Sequence, residues 1–150
     1  MDILLDLVKT NTDWVVAIMR IVLGVILFAH SAQKLLGWYG GPGFAKTVQT
    51  LTGYVKLPKP VAVLVILTEF FSGMGLILGF FSRLAAAGVV VTMVGAIVTV
   101  NHAYGLFMNW TGEKKGQGFE YHLLAIALAL VVFVKGAGAF SIDRAIYDHL

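Results

Sequence analysis

Ile21-Val22-Leu23-Gly24-Val25-Ile26-Leu27-Phe28-Ala29 is nine apolar residues without a break. A half-wet strand alternates apolar and polar residues, and a soluble helix carries one apolar stripe. This run does neither. It is apolar all round, as a helix surrounded by hydrocarbon must be. Outward from it, the same texture extends from Trp14 to about Gly37, close to the ~20 residues that cross a ~30 Å hydrocarbon core.

Three more segments share that texture: Pro60 to Phe81, Leu84 to about Tyr104, and Phe119 to about Ala139. Pro60 suits a first helical turn, where its missing N–H is not needed. None of the segments alternates like a barrel strand. The chain is therefore predicted to be all-α: a polytopic membrane protein with a bundle of four transmembrane helices, forming one domain over residues 1–150. Gly24, Gly73, Gly75 and Gly79 let helix backbones approach closely. Between the first two helices, Trp38-Tyr39-Gly40-Gly41-Pro42-Gly43 forbids a continuing helix. Phe44, Val48, Leu51 and Val55 then recur at helical spacing, with Lys46, Gln49 and Thr50 between them. This predicts a short interfacial amphipathic helix at about 43–55, with Trp38 and Tyr39 as anchors. A second long connection, Gly105 to Gly118, lies on the same side, opposite the tight turn at Ser82 and Arg83.

Composition agrees. Hydrophobic residues make up 59% of the chain and charged residues 13%, about half the charge of a soluble domain, and the mean hydropathy is +0.87. The net charge of +3 comes from basic residues scattered mostly singly, Lys114-Lys115 apart, with no basic run interleaved with aromatics. The expected partner is the lipid bilayer, not nucleic acid. Lys and Arg divide too evenly between the two sides to orient the protein. There is no cysteine, which excludes disulfides, thiolate clusters and thiol redox by this chain itself. A redox role needs a bound cofactor or a partner. Asp2, Asp6 and Asp13 against Lys9 lack the basic start of a signal peptide.

Ionisable side chains inside a span cost about 2.5–3.5 kcal/mol each on insertion scales and mark candidate sites. This chain places Arg20, His30, Gln33 and Lys34 on the first helix and Glu69 on the second. His102 ends the third, and Glu120 and His122 begin the fourth. At 1.5 Å per residue, His30 and Glu69 lie ~10 and ~13 Å below the long-loop end, with His102 and His122 about a turn inside it. His30, Glu69 and His102 are therefore the candidate catalytic residues, lining one cavity with Glu120 or His122. Arg20, Lys34, Glu120 and His122 are the candidate cofactor-binding residues. Arg20 is expected to reach Glu69 as a buried ion pair, and Lys34 to pair with Glu120 or snorkel. The Glu-x-x-His pairs of a di-iron bundle are absent, so no metal site is assigned. A haem held by two of His30, His102 and His122 has no spacing rule behind it and ranks below a quinone, which needs an apolar slot and a His or carboxylate at its carbonyl.

Arg20-Ile21-Val22-Leu23-Gly24, followed by His30-Ser31-Ala32-Gln33-Lys34-Leu35-Leu36-Gly37-Trp38-Tyr39-Gly40-Gly41-Pro42-Gly43, resembles the opening of the DoxX family. Glu69 with Gly73, Arg83, His102 and Gly118-Phe119-Glu120-Tyr121 agree with it. The resemblance covers almost the whole chain. It implies a small bacterial inner-membrane protein with four helices, linked to membrane oxidoreductase complexes that handle oxidative and thiol stress. The leading expectation is a membrane subunit of a quinone-linked redox system, acting with a redox partner protein or as a homo-oligomer. The alternatives are a non-catalytic scaffold, a small-solute carrier, or a haem- or metal-binding membrane protein.

Overall fold

The computed structural model describes residues 2–149. Among them lie seven α-helices and no strand. They are α1 (Asp2–Val8), α2 (Trp14–Leu36), α3 (Gly43–Gly53), α4 (Lys59–Leu78), α5 (Ser82–Thr99), α6 (Glu120–Lys135) and α7 (Ile142–Asp148). Single 3-10 turns follow α2 at Trp38–Gly40 and α5 at Asn101–Tyr104.

Local chemistry sets the helix ends. Asp13 caps α2, its Oδ1 accepting from the Val15 and Val16 amides. Gly37 stops α2 at φ 73°, where a side chain would be strained. α3 occupies the place expected of the interfacial helix. The N-terminus of α5 is capped from far along the chain: Asp143, buried on α7, accepts from the Phe81 amide at 2.7 Å and the Ser82 amide at 2.8 Å. A carboxylate there also meets the positive end of the helix dipole.

Three helices, α2, α4 and α5, are long and apolar enough to cross a membrane. α6 is shorter than the sequence suggests. It has 16 residues, or ~24 Å, and leaves helical geometry at Gly136 rather than near Ala139. α5 likewise ends at Thr99 rather than at Tyr104. The chain after α6 is irregular yet buried at Gly136, Ala137 and Gly138. Irregular backbone away from water must have its polar groups satisfied, and here they are. The Gly138 amide donates to Thr10 Oγ1 at 2.8 Å and the Ala139 amide to Asp13 O at 3.1 Å.

α2 packs on α4, α4 on α5, α5 on α6, and α6 back on α2. Leu23, Leu27, Leu76, Val89, Met93 and Val132 fill the middle. Two glycines set the α2–α4 approach. A Cβ on Gly24 would stand 2.8 Å from the Ile77 amide nitrogen, and one on Gly73 2.8 Å from that of Phe28. The outward faces stay apolar, with Val22, Val25, Leu64, Phe71, Val98, Leu124 and Val134 exposed. Apolar surface on that scale belongs in lipid.

Candidate functional site

Glu69, on α4, is 7% exposed, and its Oε2 accepts a hydrogen bond from Lys34 Nζ at 2.6 Å. Lys34 sits in the last turn of α2. The pairing follows from the glycine contacts. Antiparallel helices that bring Gly24 to Ile77 and Phe28 to Gly73 bring the next turn of α2 to Glu69. An ionised carboxylate at this burial needs a partner, and the lysine stem delivers one from the helix end.

The pair lines a cavity of about 420 Å³ among α2, α4, α5 and the start of α6. Thr47 and Leu51 of α3, then Val55 and Leu57, close it on the loop side. Thr47 Oγ1 ties that roof to α2 by donating to Lys34 O at 3.0 Å. A second tie crosses the roof: the hydroxyls of Tyr54 and Tyr104 share a hydrogen bond of 3.0 Å. Tyr104, beyond the end of α5, has its phenol held above the usual tyrosine value, chiefly by that bond. Asn101, Thr92 and His122 add polar atoms to a wall that is otherwise mostly aliphatic. His122 Nδ1 is buried without a hydrogen-bond partner, as is the hydroxyl of Tyr121 next to it. The Tyr121 ring lies 5.5 Å from the His122 ring and 5.9 Å from the His30 ring, centre to centre.

Of the residues expected to share one cavity, Glu69 and His122 do so, and Lys34, expected at Glu120 or at the surface, joins them. His30 and His102 do not line it. His30 is exposed beside Tyr121. His102 lies past the end of α5 on the 3-10 turn, with Nδ1 3.1 Å from Ile97 O. Glu120 is turned to the loop, where its Oε1 accepts from the Met108 amide at 2.9 Å and Trp110 Nε1 at 3.0 Å. Lys34 therefore pairs with Glu69, not Glu120.

The expected Arg20–Glu69 pair is not formed. Arg20 is fully buried at the other end of α2, where its donors all go to backbone carbonyls. Nε donates to Ala137 O at 2.7 Å, Nη1 to Leu76 O and Ile77 O, and Nη2 to Ala139 O and Phe140 O. A guanidinium has five N–H donors, so none remains for Glu69 or a ligand. The Leu76 and Ile77 carbonyls lie at the C-terminal end of α4, the negative end of its dipole, and the other three lie in the irregular chain between α6 and α7. Thr92, Thr47 and Asp143 went unnoticed in the sequence, because hydroxyls in apolar helices and a lone Asp near an end carry no spacing signal. Among the described residues, no three His, Asp or Glu side chains are grouped to hold a metal ion.

Long apolar helices around a roofed polar pair define a small helical membrane protein, and comparison narrows the class. The DoxX family model matches residues 15–102, more than half of the chain, and the chain belongs to the DoxX family. It is similar to a Bacillus subtilis (strain 168) protein named "Putative oxidoreductase CatD", 29% identical over 115 residues that cover 77% of this chain and 75% of the relative. No solved structure gives a significant match.

Proposed function

We propose that this protein is a multi-pass protein of the bacterial inner membrane, crossing it four times as a helix bundle. In this reading it serves as the membrane subunit of a quinone-linked redox system. α6 completes the fourth crossing with the irregular segment that Arg20 satisfies. The carrying observation is the Lys34–Glu69 pair facing an aliphatic cavity beside a buried His122 nitrogen that has no partner. Pockets for apolar ligands combine such walls with a few convergent polar groups. Lys34 has three donors, and one is engaged by Glu69. Another is free to grip a ring carbonyl, and His122 can meet the opposite oxygen.

Reduction of a quinone to its hydroquinone takes two electrons and two protons. In this reading the Lys34 ammonium, kept charged by Glu69, and His122 give the two protons to the quinone oxygens, and the Tyr121 ring stands between His122 and His30 at the outer face. This reading draws the electrons from a redox partner protein, as the cysteine-free chain has no thiol couple to supply them. The oxidoreductase name of the Bacillus relative supports this direction.

The test is binding of a ring-only benzoquinone to purified protein in lipid nanodiscs. Binding is expected in the native chain. Glu69→Gln and His122→Ala should each weaken it about tenfold, the weight of one hydrogen bond to a charged or buried group. A native chain that neither carries quinone on extraction nor binds it when added would remove this reading.

A further inference from the structure

A second void runs along the outer seam between α4 and α5, with a volume of about 810 Å³. Leu64, Phe71 and Leu78 wall it on α4; Leu84, Gly88 and Val91 wall it on α5. From Leu64 to Leu78 it follows ~21 Å of helix, longer than half of a ~30 Å hydrocarbon core. The helices touch closely beneath it, since a Cβ on Gly88 would stand 2.5 Å from Ser72 Oγ.

This groove does not stand alone. Val91 lines both it and the polar cavity. Successive turns alternate between the two: Leu64 and Thr68 face the groove where Val65 and Glu69 face the cavity, and Gly88 faces the groove where Thr92 faces the cavity. Polar groups gather at one end of the combined space, and almost nothing but carbon lines the other.

We infer that the cavity and the seam hold one amphiphile, a redox ring under α3 whose long apolar tail passes Val91 into the α4–α5 groove. The ligand class is therefore a tailed membrane quinone, not a small water-soluble ring. This rests on the quinone reading above and adds the tail. The tail gains no hydrophobic energy by leaving lipid for the groove, because both are equally apolar. Its role is to orient the ring and fix its route of entry, through the seam and not through the roof.

The experiment uses a benzoquinone carrying a diazirine near the end of an isoprenoid tail, photolysed with the full chain in nanodiscs, with peptides mapped by mass spectrometry. Adducts are expected on residues 64–78 and 84–91. Excess ring-only benzoquinone should suppress them at least fivefold, because ring and tail compete as one ligand. Ala87→Trp, which fills the groove away from the cavity, should abolish them. Adducts spread over the outer faces of α2 and α6, or seam adducts that ring-only benzoquinone leaves unchanged, overturn the inference while ring binding stands. In the second case the groove takes any lipid chain. If ring-only benzoquinone fails to bind at all, the quinone reading and this inference fall together.

Discussion

Arg20 and Lys34 lie on the same helix, carry the same charge, and do opposite jobs. Arg20 is fully buried and gives all its donors to five backbone carbonyls. Lys34 is 41% exposed and holds one carboxylate beside a cavity. The rigid fork of a guanidinium suits a fixed set of carbonyls, whereas a flexible ammonium suits a site that exchanges partners. Arg20→Met should therefore lower stability by about 2–4 kcal/mol, since buried carbonyls lose their only donor. Arg20→Lys should recover only part of that. Thermal unfolding in detergent checks both, and an Arg20→Met chain melting with the native one would contradict the clamp. The sequence marked both residues as ionisable groups within an apolar helix but not their pairing. Partner choice depended on helix register, which Gly24 and Gly73 encode only through the neighbours they meet.

At the scale of elements, glycines of equal composition differ in what surrounds them. Gly73 has the Phe28 backbone against it, while Gly95, within α5, has nothing within 4 Å. Gly73→Ala should push α2 from α4, costing about 1–3 kcal/mol by overpacking, and should disturb the Lys34–Glu69 contact. Gly95→Ala should be neutral or gain up to about 1 kcal/mol from helix propensity. Equal melting temperatures for the two variants would mean that the α2–α4 contact is looser than described.

The roof makes a separate claim. Tyr54→Phe removes the bond that raises the Tyr104 phenol, so Tyr104 should titrate at lower pH. The sign follows from the raised folded value: the bond contributes below the ordinary tyrosine pKa and is lost as pH climbs through the raised one. Ultraviolet difference titration of native and variant chains reads it, and superimposable curves would deny the bond. The roof helix was legible, because its apolar period of 3.6 is local. The bond across it was not, since it joins residues 50 positions apart.

For the whole molecule, three helices are long and apolar enough to span, and the proposed fourth crossing would put both described ends on one face and the 105–118 loop on the other. The absence of cysteine permits a direct check with single-cysteine variants at Thr111, Asp6 and Tyr147. A membrane-impermeant thiol reagent applied to oriented vesicles should label Thr111→Cys from one side and the other two from the opposite side. Labelling of all three from one side would break the four-crossing arrangement. The proposed fourth crossing depends on the assembly. α6 alone covers ~24 Å, and the backbone beyond it is tolerated in apolar surroundings only because Arg20, Thr10 and Asp13 satisfy it.

Apolar run length located the four long helices, though not all their ends, and amphipathic period located the roof, because solvation acts on each residue independently of its distant neighbours. The same reasoning identified the ionisable groups inside the apolar runs, but not Asp143, which is buried beyond them. Which of those groups met was left to the tertiary structure. Arg20 went to carbonyls, Lys34 to Glu69, and His30 and His102 stayed outside the cavity. A buried charge is satisfied by whatever polar atom the packing brings within about 3 Å. That distance is set by helix register and by where helices end, quantities that no single segment carries.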